Sequence, residues 1–167
     1  MKRKVVTTKD GSSSIYVEDL EEHYHSLHGA ISESRHVFIK YGLDAFGNGQ
    51  KQPVRILEMG FGTGLNLLLA VEYAHKTGCS FEYWGIEAFP VEAELYKQLN
   101  YCEEVELEAC TTLLQKIHNT EWEREVELNA SIKIRKLKTK LETALLPGAF
   151  FNVVFYDAFS PGSNPEL

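Results

Sequence analysis

The sequence lacks the features of a membrane or secreted protein. Its longest apolar run, Leu65 to Val71, is far shorter than the roughly 20 residues that a bilayer-spanning helix needs. No apolar segment follows the basic residues 1–4, so a secretory signal is not predicted. The chain has 3 cysteines, an odd number, and no C-x-x-C pair, so neither a disulfide framework nor a zinc site is expected. These absences predict a cytoplasmic protein with reduced thiols and no membrane partner.

Positive charge is also in short supply. The chain has 17 Lys and Arg residues against 24 Asp and Glu, which gives a net charge of −7. This balance argues against a broad, non-specific binder of nucleic acid or membrane. One basic stretch, residues 133–140, departs from the average. Such lysines commonly keep an exposed strand from pairing with other chains, and contact with RNA is the alternative.

The first 50 residues predict an N-terminal extension of a hairpin and helices. Two β-prone runs flank Asp10-Gly11, a pair typical of a hairpin turn. Helical periodicity follows from Glu18 to Tyr41, with a break at Gly29, and predicts two short helices. A loop is predicted around residues 47–49.

Residues 51–167 predict an α/β domain, in a chain whose length of 167 residues corresponds to about one domain. Strands that alternate with helices predict a parallel sheet with helices on both faces, and a ligand site at the carboxyl ends of the strands. A strand with nothing after it to cover its far side predicts the front part of a longer protein, truncated at the C-terminus. The predicted strands are 54–59, 81–86 and 151–156, the helices are 65–76, 91–100, 106–118 and 139–145, and a second hairpin spans 123–137.

A glycine-rich turn follows the first strand of this domain. Gly60, Gly62 and Gly64 form G-x-G-x-G two residues after Glu58. Glycines let the backbone approach a ligand closely, and the next helix offers free N–H groups. Leucines occupy the positions at which a dinucleotide fingerprint needs its third glycine, and no P-loop pattern occurs, so NAD, FAD and P-loop nucleotides are not expected. A glycine turn without any ligand is the alternative.

Two carboxylates end strands at the same predicted edge. Glu87 follows the second strand, where a carboxylate can accept both hydroxyls of a ribose. Asp157 follows the last strand and would face the same crevice, and an Asp that only caps its loop is the alternative. Asn164 nearby either forms a turn or presents an amide to a substrate. The histidines at 23, 25 and 28 have no metal-ligand spacing, so no metal site is predicted.

Four segments, in this order, resemble the MnmC-like methyltransferase family, whose members are S-adenosylmethionine-dependent enzymes of tRNA wobble-uridine modification. They cover the chain from about Tyr24 to its end and are more specific together than any single glycine loop. The segments are Glu33 to Phe38, Leu57 to Asn66, Glu87 to Pro90, and Asp157 to Leu167.

The resemblance implies a class I methyltransferase (Rossmann-like) fold. It implies methyl transfer to the exocyclic amine of aminomethyl-uridine in tRNA, with S-adenosylmethionine as the cofactor and a separate flavin-dependent oxidase as a further partner that supplies the amine. Asp157 would lie beside the transferring methyl as the catalytic residue. The cofactor-binding residues it implies are Glu58, Gly60, Gly62, Gly64, Asn66 and Glu87.

Two departures from the family pattern leave other functions open. The family carries an acid after the third strand that meets the adenine amine, whereas this chain reads Lys136 to Thr139 there. The chain also stops before the family's Trp. A non-catalytic Rossmann-like binding module is therefore one alternative, and a methyltransferase for a small molecule or a protein, favoured by the net charge of −7, is another.

Overall fold

The computed structural model describes residues 1–46 and 52–159. The predicted loop at 47–49 and the segment that includes Asn164 lie outside these ranges. In the described ranges, no helix combines the length and the apolar character that crossing a membrane requires.

The N-terminal residues form a small antiparallel sheet. Strands β1 (Arg3–Thr7) and β2 (Ser13–Val17) form the predicted hairpin, and a short strand, β3 (Glu22–His23), pairs with β2. The helix predicted from Glu18 is therefore wrong in its first half. The apolar spacing there belongs to a chain that turns back along β2, and helix begins only with α1 (Ala30–Ser34), which continues into a π-helix over Arg35–Asp44.

The second sheet has five strands in the order β6-β7-β5-β4-β8. Four of them are parallel, and β6 runs antiparallel to β7, as predicted for the second hairpin. The strands are β4 (Val54–Met59), β5 (Phe81–Ile86), β6 (Glu125–Asn129), β7 (Ile132–Leu137) and β8 (Val153–Tyr156). The predicted α/β, Rossmann-like class is confirmed.

The connecting helices are shorter than the sequence predicts, apart from α2 (Leu65–Thr77). Helix α3 covers Ala93–Tyr96 and α4 covers Cys110–Asn119. A 3₁₀ turn, Leu141–Thr143, stands in place of the helix predicted over 139–145, and a second, Tyr101–Glu103, lies between the helices predicted over 91–100 and 106–118. Alanine 109, just before α4, has a φ of 51°, a left-handed conformation that prevents α4 from starting earlier.

The core lies mainly on one face of the larger sheet. Residues that alternate along the strands, such as Ile56 and Tyr83, pack there against α2, whose residues 65–74 are all buried. A smaller cluster on the opposite face contains Leu57 and is covered by the 3₁₀ turn Leu141–Thr143 and residues 144–151. This packing fixes the carboxyl ends of β4, β5 and β8 at one edge of the sheet.

Two sequence expectations are corrected by the fold. Cys102 and Cys110 form a disulfide. The 3₁₀ turn Tyr101–Glu103 and the start of α4 bring their Cα atoms to 5.5 Å from each other. The basic stretch does not lie on an edge strand, since β6 covers β7. Lys136 within it is buried, and its Nζ donates to the carbonyl oxygens of Ile117 and His118 at the end of α4 (2.9 and 2.8 Å).

Candidate functional site

The glycine turn between β4 and α2 has a backbone that other residues rarely adopt. Gly60, Gly62 and Gly64 have φ values of 87°, 48° and 73°. A Cβ on Gly60 would lie 2.6 Å from the carbonyl oxygen of Asp157, and one on Gly62 would lie 3.0 Å from the ring of Tyr24. The glycines therefore let the turn pass tightly between the end of β8 and the N-terminal sheet.

Glu87 is held against this turn by two backbone amides. The N–H of Gly62 donates to its Oε2 and the N–H of Phe89 donates to its Oε1, both at 2.8 Å. Each carboxylate oxygen can accept more than one hydrogen bond, so the group is oriented and still able to bind hydroxyls.

A buried hydrogen-bond network connects Glu58 to Asp157. One amide group, Nδ2 of Asn66, donates to Oε1 of Glu58 at 2.9 Å and to Oδ2 of Asp157 at 2.8 Å. Glu58 and Asn66 are 1% and 2% exposed and lie beneath the turn. Asn66 thus links two carboxyl groups that would otherwise repel each other.

Burial makes these carboxyl groups hard to ionise. Burial raises the pKa of Asp157 from 3.8 to about 7, against the lowering effect of the Asn66 hydrogen bond, and the charge of Glu33 adds to the rise. Burial and then the charge of Asp157 raise the pKa of Glu58 well above its usual range. A carboxyl group whose pKa lies near 7 can both accept and release a proton at neutral pH.

One cavity brings most of the predicted site residues together. Its lining includes Gly60, Gly62, Glu87 and Asp157, at the carboxyl ends of β4, β5 and β8. Glu58 and Asn66 do not line it, but Asn66 is hydrogen-bonded to both Glu58 and Asp157. Gly64 immediately precedes α2, and a Cβ on it would contact Ile117 and Phe61. Their predicted contact with a cofactor stays a prediction.

The cavity also has walls that the sequence did not indicate. Arg3 and Tyr24 enter from the N-terminal sheet, Phe159 follows Asp157, and residues 139–142 follow β7. The Arg3 guanidinium donates to the carbonyl oxygens of Phe89 (2.7 Å) and Pro90 (3.0 Å), which fixes that sheet to the rim. The side chains of a strand point alternately to its two faces, and this alternation along β1 is the sequence signal that could have predicted that Arg3 faces the cavity.

Thr63, between two of the glycines, is anchored by buried aromatic and histidine side chains. The Tyr101 hydroxyl donates to its Oγ1, and Nε2 of His118 donates to its carbonyl oxygen, both at 3.0 Å. Nε2 of His25 lies 3.5 Å from the same Oγ1. Burial lowers the pKa of both histidines to about 4, so they are neutral at pH 7. No metal-binding group of three or more His, Cys, Asp or Glu occurs among residues 1–46 and 52–159.

Comparison with known proteins finds relatives that share one name. No protein-family model matches the chain. The chain is 31% identical over 154 residues to the tRNA 5-methylaminomethyl-2-thiouridine biosynthesis bifunctional protein MnmC of Methylobacillus flagellatus, covering 86% of this chain and 24% of that protein. It is 27% identical over 164 residues to the protein of the same name from Leptospira interrogans, covering 90% and 24%. The chain spans about a quarter of the length of these relatives.

The fold matches the same group. The crystal structure of MnmC2 from Aquifex aeolicus superimposes with a TM-score of 0.78 at 27% identity, over 99% of this chain and 52% of that one. The match extends through the N-terminal sheet and the larger sheet alike, as the coverage requires. Sequence and fold together place this chain in the MnmC-like family.

Proposed function

We propose that this chain is an S-adenosylmethionine-dependent methyltransferase that methylates the aminomethyl group of a modified wobble uridine in tRNA. The observation that carries the proposal is that Asp157, Glu87 and the glycine turn line one and the same cavity. The relatives support the substrate class, because their name specifies biosynthesis of a uridine with a methylated aminomethyl group. A cytoplasmic location and a flavin-dependent oxidase that supplies the amine belong to the same proposal.

The residues of the cavity fit the proposed cofactor. Glu87 is oriented to accept hydrogen bonds from the two ribose hydroxyls, and the backbone of Gly60 and Gly62 lines the part of the cavity that would take the methionine part. Glu142 lines the cavity after β7, where the family's acid is missing, and we propose that its carboxylate accepts from the adenine amine. When bound, the cofactor supplies an electrophilic methyl group on a positively charged sulfur.

Asp157 is the proposed proton acceptor of the reaction. In the transfer, the carbon–sulfur bond breaks, a carbon–nitrogen bond forms, and the amine loses one proton. An alkylammonium has no lone pair for this attack, so the proton must leave the nitrogen. The Asp157 carboxylate lines the cavity and has a pKa of about 7, close to a neutral pH, so it suits the role of accepting this proton and passing it to water.

Glu58 and Asn66 are the proposed positioning residues. Asn66 fixes the direction of the Asp157 carboxyl group by a hydrogen bond from its amide. Glu58 accepts a second hydrogen bond from the same amide and so orients Asn66. Burial raises the pKa of Glu58, which favours its neutral form and so reduces its repulsion of Asp157.

Methyl transfer to purified tRNA tests the proposal directly. The substrate is tRNA from cells that lack the final methylation, with S-adenosylmethionine labelled in its methyl group. We expect label in the methylaminomethyl nucleoside after digestion and mass analysis, and heat of binding when the cofactor is titrated into the protein. Binding without transfer to any tRNA would favour a non-catalytic module or another acceptor.

A further inference from the structure

Two aromatic side chains form a corner inside the cavity beside Asp157. The rings of Tyr24 and Phe159 meet with centroids 5.0 Å apart and planes inclined at 85°. Both side chains line the cavity, and Phe159 stands two residues after Asp157 in the chain. Two rings at a right angle leave a space that a flat third ring fills by stacking on one and meeting the other with its edge.

The Tyr24 ring of this corner is held in place by its neighbours. Tyr24 packs on Gly62, where even one added Cβ would lie 3.0 Å from its ring. The Arg3 guanidinium lies 5.8 Å from the centroid of the same ring and is itself fixed by the carbonyl oxygens of Phe89 and Pro90. A ring that is fixed before binding loses little freedom when a ligand stacks on it.

The charges around the corner suit a base that carries an amine. Asp157 and Glu87 line the same cavity, and Glu33 is close enough to raise the pKa of Asp157. A cationic aminomethyl group is attracted toward these carboxyl groups, while the apolar rings favour the flat part of the same molecule. A base in an RNA reaches such an enclosed site only when it turns out of its stack.

We propose that Tyr24 and Phe159 hold the pyrimidine ring of the acceptor nucleotide, turned out of the anticodon loop, with its aminomethyl group directed toward Asp157. This inference rests on the proposed function and specifies which residues bind the acceptor. The aromatic corner is thus a base-binding subsite that adjoins the glycine turn and Glu87, which face the cofactor.

Binding of paired RNA probes to the full chain tests the subsite without requiring methyl transfer. One probe is an anticodon stem-loop with 5-aminomethyluridine at the wobble position, and the other is the same stem-loop with an abasic sugar there. Stacking of one base is expected to make the first probe bind about 5- to 100-fold more tightly to the unaltered chain. In Phe159→Leu this preference should disappear, and in Phe159→Tyr, which keeps the ring, it should remain.

Phe46→Leu is the matched control, since Phe46 is an exposed ring that does not line the cavity. It should keep the full preference. Cofactor affinity, measured by calorimetry, should be the same in Phe159→Leu and in the unaltered chain. If Phe159→Leu keeps the preference, whether or not its cofactor affinity changes, the subsite is refuted. It is also refuted if the unaltered chain prefers neither probe. A preference for the base without any methyl transfer would support the subsite and refute the proposed reaction.

Discussion

Asp157 is the residue at which the fold and the proposed chemistry depend on one another most closely. Burial keeps its pKa near 7, and Asn66 holds one of its oxygens in a fixed direction. Asp157→Asn keeps the size and the shape but cannot accept a proton. We expect turnover on tRNA to fall about a hundredfold or more, as is usual for lost general base catalysis, while cofactor affinity by calorimetry stays within about twofold.

The pH profile separates this role from a merely structural one. Turnover of the unaltered chain should rise through about pH 7 as Asp157 ionises. In Asp157→Asn that rise should be absent, and turnover should instead climb at higher pH, where more of the substrate amine is already neutral. A variant with the parent's rate and profile would show that Asp157 only caps its loop.

Asp157 also makes folding stability depend on pH, with a sign that follows from its raised pKa. Between its ordinary value of 3.8 and about 7, the folded state binds more protons than the unfolded state, so the free energy of unfolding falls as pH rises. Asp157→Asn removes this loss. We expect its melting temperature at pH 8 to exceed the parent's by roughly 5 °C, with the difference shrinking toward pH 4. Calorimetric scans at the two pH values check this, and an equal difference at both would contradict the assignment.

Gly62 tests the glycine turn, because a side chain there faces two obstacles. Its φ of 48° is rarely adopted by other residues, and a Cβ would press on Tyr24. Gly62→Val should reduce S-adenosylmethionine affinity at least tenfold, as a few kcal/mol of strain and displacement imply. Gly78→Val is the matched control. Gly78 has a φ of 74° at the end of α2, with open space around its Cβ position, so this variant should lose stability and keep its affinity.

Among the elements, the N-terminal sheet is joined to the rim of the cavity by Arg3. The Arg3 side chain is 3% exposed, donates to the carbonyl oxygens of Phe89 and Pro90, and pairs with Glu92 at 3.2 Å. Arg3→Met should cost about 1–2 kcal/mol of stability, because it removes the hydrogen bonds of a buried guanidinium to the partly exposed carbonyl oxygens of Phe89 and Pro90. Lys4→Met removes an exposed ion pair with Glu18 and should cost less than about 1 kcal/mol. Urea unfolding of both variants measures the two costs, and equal costs would refute the anchoring role of Arg3.

The strands that position the site could be predicted, whereas the elements around it depend on contacts that no local pattern contains. Val54–Met59 and Phe81–Ile86 have the predicted bounds. A short, mostly apolar run that ends at a glycine turn or a carboxylate fits few structures other than a buried strand. Tyr24 follows a helical spacing, yet its amide pairs with the carbonyl of Ile15 in the N-terminal sheet. Local periodicity cannot report a pairing partner from another strand.

Candidate site residues divide in the same way. Glu87 and Asp157 were predictable, since strand ends in a parallel sheet share one edge. The contribution of Tyr24 and Arg3 was not, because it depends on how a separate sheet docks on that edge. Lys136 shows the limit for charge patterns. Its ammonium is buried against the carbonyl oxygens of Ile117 and His118, so one member of an apparently exposed basic run is a core residue.

At the scale of the whole molecule, the net charge of −7 opposes the approach of a polyanion such as tRNA. Local positive charge must therefore guide any RNA to the cavity. Within the basic stretch, Lys133 pairs with Glu125, and the Arg135 guanidinium lies 4.6 Å from the centre of the Trp84 ring. Lys138 and Lys140 are exposed where β7 ends, and Lys140 lines the cavity.

We therefore expect Lys140, which lines the cavity, and Lys138, two residues before it, to contribute phosphate contacts together. Changing both to Gln should weaken tRNA binding about tenfold or more and reduce the salt dependence of the binding constant, the slope of log K against log salt, by about 1–2. The charge-matched control changes Lys9 and Lys133 to Gln, because neither lines the cavity and the net charge falls equally. Fluorescence anisotropy with labelled tRNA over a range of salt concentrations measures both quantities. Equal losses in the two double variants would mean that only the overall charge matters, since specific contacts would reduce the slope for the variant of Lys138 and Lys140 alone.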